Sequence, residues 1–236
     1  MIFRRFKGLT AAPKTKACSR DYELTGSTWT YSPADIGRVK RIMVFGDSNA
    51  SRPDGNRTCW PALIEDKGPL NINVFNESCD GRTTKYDIGE RNGLSVIASK
   101  LTIHAPLDYV IVMLGTNDVK IRYGPPNAAE IANGIRQVID FIDVHGGGAK
   151  PILLTPPPMG NVISGDLAGG QSRIPPVAAE FRLLAINSDV PLVDVNTAID
   201  SDTDLEPDKV HLNLTGRQKV ADTIWASLQG LTAPVR

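Results

Sequence analysis

The sequence predicts an α/β protein built on a parallel sheet with helices on both faces. Five short apolar runs lack a clean alternation of apolar and polar residues, which is typical of strands buried on both faces. Helical patterns separate these runs, and repeated strand–helix alternation favours parallel pairing through crossover helices. A chain of 236 residues is also long enough to bury its own core without metals or disulfides.

The elements follow one another regularly along the chain. The predicted strands are residues 42–45, 72–75, 109–114, 152–154 and 192–195. The predicted helices are residues 57–66, 93–104, 128–145, 176–187 and 215–229. Glycine and proline are expected to punctuate them. Helix starts are predicted at Gly93 and Pro175-Pro176, and helix ends at Gly146–Gly148 and Gly230.

The first part of the chain differs from the rest. Residues 1–40 mix basic, hydroxyl and glycine residues with little periodicity and are interpreted as an N-terminal arm, followed by one domain over residues 41–236. We hypothesise that the arm packs across a subunit interface, which makes a second copy of the chain an expected partner. The basic first residues precede no apolar run, so no signal peptide is expected.

Composition excludes several classes of partner. Lys plus Arg and Asp plus Glu number 26 each, so the net charge of zero argues against nucleic-acid or anionic-membrane surfaces. No apolar run approaches the roughly 20 residues that span a bilayer. Three cysteines without a C-x-x-C pair predict reduced thiols and a cytoplasmic location. The chain shows no ligand pattern that calls for a cofactor or a metal.

Polar residues follow the predicted strands where they are expected to end. Ser48 follows the first strand, Gly81 lies in the polar stretch after the second, and Asn117 follows the third. Asp208 and His211 lie just before the last helix. Because ligands of such sheets bind outside the carboxyl ends of the strands, these residues are expected to converge on one edge.

The residue types complement one another chemically. The Ser48 hydroxyl is a nucleophile once a base removes its proton, and His211 is the strongest candidate for that base. Asp208 can hold the far ring nitrogen of His211. The amide of Asn117 and the backbone N–H groups of Gly81 and Ser48 can donate to a developing oxyanion. Together they supply the groups required for acyl transfer.

Four blocks in order resemble those of the SGNH, or GDSL, hydrolase superfamily over about residues 41–229. They are Gly46-Asp47-Ser48, Gly81, Gly115-x-Asn117-Asp118 and Asp208-x-x-His211. The resemblance implies a three-layer, flavodoxin-like fold with a five-stranded parallel sheet. It also implies a triad of Ser48, Asp208 and His211, with Ser48, Gly81 and Asn117 forming the oxyanion hole.

Neighbouring residues refine this resemblance. Residues 108–118 and 82–84 look like the short-chain arylesterase and acyltransferase branch, which implies a compact pocket and small acyl groups. Asn49 departs from the pattern, because the family usually has Leu after the nucleophile. Asp118 is expected to cap the next turn and orient its loop. The loop over residues 155–175 is long, and we expect it to shape the acyl or alcohol pocket.

The expected function is hydrolysis of small-molecule, short-chain acyl esters through an acyl–enzyme, as in carboxylesterases and arylesterases. Transfer of the acyl group to another acceptor remains open, as does the identity of the alcohol. The alternatives are a carbohydrate O-acetylesterase, an esterase for lipid or thiol esters, or a family member that binds an acylated ligand without turnover. The complete set of Ser48, Asp208 and His211 favours an enzyme over the last of these.

Overall fold

The structure is a computed structural model that describes residues 40–51, 58–67, 72–124, 127–162 and 164–232. Side chains are described as far as residue 228. The predicted N-terminal arm therefore lies outside the described residues, apart from Lys40, and stays a prediction. Residues 52–57, a polar stretch that follows Ser51, also lie outside the described residues.

Five parallel strands form one sheet, as predicted. They are β1 (Lys40–Gly46), β2 (Ile72–Asn76), β3 (Tyr109–Met113), β4 (Lys150–Leu154) and β5 (Leu192–Val193). The strand order is β2-β1-β3-β4-β5, so β1 lies between β2 and β3. Strand order reverses between β1 and β3. Ligands of such sheets bind in the crevice outside the carboxyl ends of these two strands.

The helices cover both faces of the sheet. They are α1 (Trp60–Asp66), α2 (Gly93–His104), α3 (Ala128–His145), α4 (Gly170–Ser188), α5 (Val195–Ala198) and α6 (Leu214–Thr232). One apolar core joins α2, α3 and α4 to the sheet, and a second joins α1 and α6 to the opposite face. Strand β1 contributes to both, because Met43 and Phe45 face the first core while Ile42 and Val44 face the second.

Helix α4 begins earlier than predicted, because Pro175 and Pro176 lie inside it rather than at its start. The two prolines remove the N–H groups that would bond to the carbonyls four residues before them. Packing outweighs this loss, since Ile174 is fully buried. The guanidinium of Arg173 also donates to the carbonyls of Val119 and Ala168, at 2.9 and 2.6 Å, which anchors the first turn.

Strand β5 and helix α6 also end at other residues than predicted. Strand β5 ends at Val193 instead of continuing to residue 195, because the Thr155 hydroxyl donates to Asp194 and accepts from the Asn196 N–H. These bonds turn the chain into α5. Helix α6 continues to Thr232, so Gly230 does not end it.

The cysteines also differ from the prediction. Cys79 is disulfide-bonded, and Cys59 carries a buried thiol. The expectation of three reduced thiols is therefore wrong. Disulfides are typical of oxidising compartments, so this bond does not support the cytoplasmic location inferred from cysteine usage. Among the described residues, no helix has the length and apolar character needed to cross a membrane.

Candidate active site

Ser48 lies in the tight turn that follows β1, an inner strand of the sheet. The carbonyl of Asp47 accepts hydrogen bonds from the N–H groups of Ala50 and Ser51, at 3.0 and 3.1 Å. The Asp47 side chain is fully buried, and its Oδ1 accepts from the Asn49 N–H at 2.9 Å. The turn therefore holds Ser48 half-buried, with its hydroxyl at the carboxyl edge of the sheet.

The loop before α6 brings Asp208 and His211 to the same edge. The Asp208 carboxylate contacts Nδ1 of His211 at 2.6 Å, and Nε2 of His211 lies 2.9 Å from the Ser48 hydroxyl oxygen. The other Asp208 oxygen accepts from the backbone N–H groups of Val210 and His211, both at 3.0 Å. One carboxylate thus orients both the ring and the backbone of His211.

Asp208 is held in its charged form. Partial burial raises the pKa of this carboxyl, but the hydrogen bonds from the His211 ring and from two backbone N–H groups outweigh burial. The net result is a pKa below the ordinary value. An ionised Asp208 favours the His211 tautomer that carries its proton on Nδ1, which leaves Nε2 free to accept the Ser48 proton.

The predicted oxyanion donors are the backbone N–H groups of Ser48 and Gly81 and the side-chain amide of Asn117. The backbone N–H groups of Ser48 and Gly81 make no hydrogen bond within the described part of the chain. Gly81 has a φ of +79°, a left-handed conformation that explains why glycine is required there. One N–H of the buried Asn117 amide donates to the Arg82 carbonyl at 3.2 Å. Its second N–H stays available for a substrate oxygen.

Arg82 supports these donors and was not identified from the sequence. Its side chain is only 1% exposed and lies over the Phe45 ring, 4.4 Å from the ring centre. The guanidinium donates to the carbonyls of Gly46, Glu77 and Glu90, which joins the ends of β1 and β2 to the Gly81 loop. An arginine directly after the predicted oxyanion glycine is the only signal in the sequence that pointed to this role.

Asp118 joins the Asn117 loop to the Gly81 loop. Its Oδ1 accepts from the backbone N–H and the hydroxyl of Thr84, at 2.8 and 2.6 Å. The sequence predicted a residue that orients the loop, which is confirmed. Its carboxylate bonds to the neighbouring loop and not to the turn that follows it, so the predicted cap of that turn is not found.

Two buried carboxyls lie beneath the site. Burial raises the pKa of Asp47 to about 6, although the hydrogen bond from the Asn49 N–H opposes this. Burial likewise raises the pKa of Asp118 to about 6, against the bonds from Thr84. The negative charge of Asp47 adds to the increase at Asp118. Both carboxyls therefore titrate near neutral pH, unlike Asp208.

The loop after β4 packs against the loop that carries His211. The Gly160 N–H donates to the Lys209 carbonyl at 2.9 Å. Lys209 itself has a φ of +61°, one of two non-glycine residues with positive φ in the described chain. This contact agrees with the prediction that the loop over residues 155–175 flanks the site. The structure, however, assigns residues 170–175 to α4.

The structure brings together all the residues that the sequence predicted for the site. Ser48, Asp208 and His211 form one hydrogen-bonded chain, and Asn117 is attached to the residue after Gly81. Among the residues with described coordinates, no group of three or more His, Cys, Asp or Glu side chains is arranged to hold a metal ion.

The order of the five parallel strands and the helices on both faces define an α/β protein with the fold of the SGNH hydrolases. The chain belongs to the GDSL-like lipase/acylhydrolase family, whose sequence profile matches residues 44–219. This membership confirms the family expected from the four sequence blocks.

Known structures and sequences agree with this assignment. A carbohydrate acetylesterase family member from Sinorhizobium meliloti is 25% identical, with a TM-score of 0.74 over 82% of this chain and 99% of that one. The native aryl esterase of M. smegmatis is 26% identical, with a TM-score of 0.73 over 82% of this chain and 100% of that one. Family and neighbours confirm the expected enzyme class, a carboxylic ester hydrolase.

A third relative matches over a shorter part of the chain. Over 114 residues the chain is 30% identical to thioesterase 1/protease 1/lysophospholipase L1 of Escherichia coli K12. The match covers 48% of this chain and 49% of that protein, so the chain spans about half the length of the curated relatives it matches.

Proposed function

We propose that the protein hydrolyses short-chain acyl esters with Ser48 as nucleophile. The observation that carries this proposal is the continuous chain of hydrogen bonds from Asp208 through His211 to the Ser48 hydroxyl, at 2.6 and 2.9 Å. A serine hydroxyl needs an oriented base to become nucleophilic, and this chain supplies both the base and its orienting carboxylate. Family membership supports the same reaction class.

The reaction begins when Ser48 Oγ attacks the ester carbonyl while His211 Nε2 accepts its proton. The tetrahedral oxyanion is bound by the N–H groups of Ser48 and Gly81 and by Nδ2 of Asn117. Protonated His211 then donates its proton to the departing alcohol, which leaves an acyl–enzyme on Ser48. Water attacks this ester with His211 again as the base, and the acid leaves with Ser48 restored.

The test is hydrolysis of para-nitrophenyl esters over a series of acyl chain lengths, with Ser48→Ala as the matched variant. We expect activity on acetate to butyrate esters that is lost in the variant, with unchanged circular dichroism. Equal activity in both proteins would refute the role of Ser48. Labelling of the wild type, but not of the variant, by a fluorophosphonate identifies the reactive serine independently of the substrate.

A carbohydrate O-acetylesterase is the second candidate, favoured by the similarity to the Sinorhizobium meliloti protein. The hydrogen-bonded residues act on the acyl carbon and do not determine which alcohol the ester contains. Release of acetate from acetylated sugars, compared with para-nitrophenyl acetate at equal concentration, distinguishes the two. Acyl transfer is tested by adding an alcohol acceptor and measuring the new ester against free acid.

A further inference from the structure

A cavity of about 720 Å³ lies beside the loop that carries His211. Asp208, Lys209 and Val210 line one wall, directly before the base in the chain. Lys120 lines another wall, and its backbone N–H bonds to the Asn117 carbonyl at 3.3 Å. The cavity is therefore lined by Asp208 of the predicted triad and by close chain neighbours of the predicted base and of the predicted oxyanion donor.

The cavity lining contains more positive charge than its carboxylates neutralise. Lys120, Arg122 and Lys209 are the cations, and Asp166 and Asp208 are the anions. Arg122 is paired with Asp166 at 2.8 Å, and Asp208 is engaged by His211. Within the described residues, Lys120 and Lys209 make no side-chain hydrogen bond or ion pair.

Lys120 is the more unusual of the two lysines. It is only 9% exposed, and it lines the cavity. Burial lowers the pKa of its ammonium group, and the positive charge of Arg122 lowers it further. This ammonium is half-buried, and the carboxylates of Asp87 and Asp166 act on it only through their charge. Partial burial of a charge without a close partner costs free energy. An anion bound in the cavity would supply the missing partner and restore the pKa.

We propose that Lys120 and Lys209 form a subsite for an anionic group, a carboxylate or a phosphate, on the ester substrate. This inference rests on the proposed esterase function and narrows its substrate class to acidic esters. The carbonyl carbon occupies the space beside the Ser48 hydroxyl, and the charged end of the acyl or alcohol part lies between the two ammonium groups. Arg122 remains paired with Asp166 and contributes only the long-range attraction of its positive charge to the anion.

The first test compares charged and neutral substrates of matched shape. On the acyl side, the para-nitrophenyl half-ester of adipic acid is compared with the same ester methylated at its free carboxylate. On the alcohol side, the acetate ester of a hydroxynitrobenzoate is compared with that of its methyl ester. The wild type should prefer the charged member of one pair in kcat/KM, and high salt should reduce the preference.

The matched variants are Lys120→Gln and Lys209→Gln, with Lys150→Gln as control. Lys150 is exposed at the start of β4, at the opposite edge of the sheet. Each cavity variant should lower the charged-to-neutral ratio of kcat/KM about tenfold, the size of a charge-assisted hydrogen bond, and the control should leave it unchanged. Hydrolysis of the neutral ester verifies that each variant is folded. An unchanged ratio in both cavity variants would overturn the subsite.

A second test separates the two sources of the anion and does not depend on turnover. Inorganic phosphate or adipate is added to each protein, and the shift in Tm and the inhibition of neutral-ester hydrolysis are measured. The more effective anion identifies the preferred group, and its effect should be lost in Lys120→Gln. If neither anion acts on the wild type, the subsite is refuted. If the wild type hydrolyses no ester yet binds an anion through Lys120, only the esterase proposal fails.

Discussion

Oδ1 of Asn49 accepts a hydrogen bond from the backbone N–H of Leu212 at 3.0 Å. Asn49 follows Ser48 in the chain, and Leu212 follows His211. A single buried bond therefore ties the turn of the proposed nucleophile to the loop of its base. The family usually has Leu after the nucleophile, which cannot accept such a bond, so here a polar contact replaces apolar packing.

Asn49→Ala should destabilise the protein and slow the reaction. It leaves the Leu212 N–H buried without a partner, which costs about 1–3 kcal/mol. We expect that loss in the free energy of unfolding measured in urea, together with a lower kcat and a nearly unchanged KM for a short-chain ester. Asn187→Ala, at an exposed position of α4, is the matched control. Wild-type stability and kcat in Asn49→Ala would contradict the linking role.

Asn117→Ala should lower kcat about 100- to 1000-fold, the typical cost of losing one oxyanion donor. The amide makes one hydrogen bond in the structure, to the carbonyl of the buried Arg82, so the free energy of unfolding should fall by about 1–3 kcal/mol while the fold is kept. Initial rates measured over a range of substrate concentrations separate kcat from KM, and urea unfolding verifies the fold. Full activity in the variant would show that this amide does not bind the oxyanion.

Gly160→Ala should disturb the loop of His211 without touching the substrate. A Cβ at residue 160 would lie 2.8 Å from Cδ and 3.0 Å from Cβ of Lys209, so the Lys209 side chain or the loop that carries it has to shift. Displacement of reacting groups by about 1 Å can cost about 100-fold in rate, and we expect kcat for a neutral ester to fall about tenfold or more.

Lys209→Gly supplies the rescue for Gly160→Ala. It removes the side chain that the new Cβ would meet, and glycine readily adopts the positive φ of residue 209. The double variant should recover most of the kcat for the neutral ester. Failure of this rescue, with both proteins folded, would place the effect of Gly160→Ala outside the contact with Lys209.

Asp47→Asn should change how stability depends on pH. The Asp47 pKa rises from 3.8 to about 6 on folding, so between these values the folded state binds the proton more tightly. The contribution of Asp47 therefore decreases as pH rises through this window, by about 3 kcal/mol in total. Relative to wild type, Asp47→Asn should gain stability from pH 4 to pH 7, measured by urea unfolding. A constant difference would contradict the raised pKa.

The sheet and the site residues were predictable because each depended on local patterns. Short apolar runs identified all five strands, and parallel strands place their carboxyl ends at one edge. That geometry carries Ser48 and Asn117 to the same edge whatever the detailed register, and the loop before α6 brings His211 there. Helix starts were harder, because at Pro175 buried neighbours and the Arg173 contacts outweighed the local preference for a break.

The supporting contacts were not predictable, because each joins loops that are distant in the chain. Arg82 reaches carbonyls at the ends of two strands, and Asn49 reaches Leu212 across 163 positions. Nothing near either residue in the sequence indicates such a partner. The net charge of zero over the whole chain also gave no indication of the local excess of cations beside Lys120. The disulfide of Cys79 was not predicted either, since cysteine spacing alone does not identify a disulfide.

The separation of Ser48 and His211 by 163 residues also matters for how the protein acquires activity. One residue follows the first strand of the sheet, and the other precedes its last helix, so no single segment carries both. Contacts between distant parts of a chain form late and slowly during folding. In a refolding experiment, turnover is therefore a reporter of the completed native state, and the collapsed species that precede it should remain inactive.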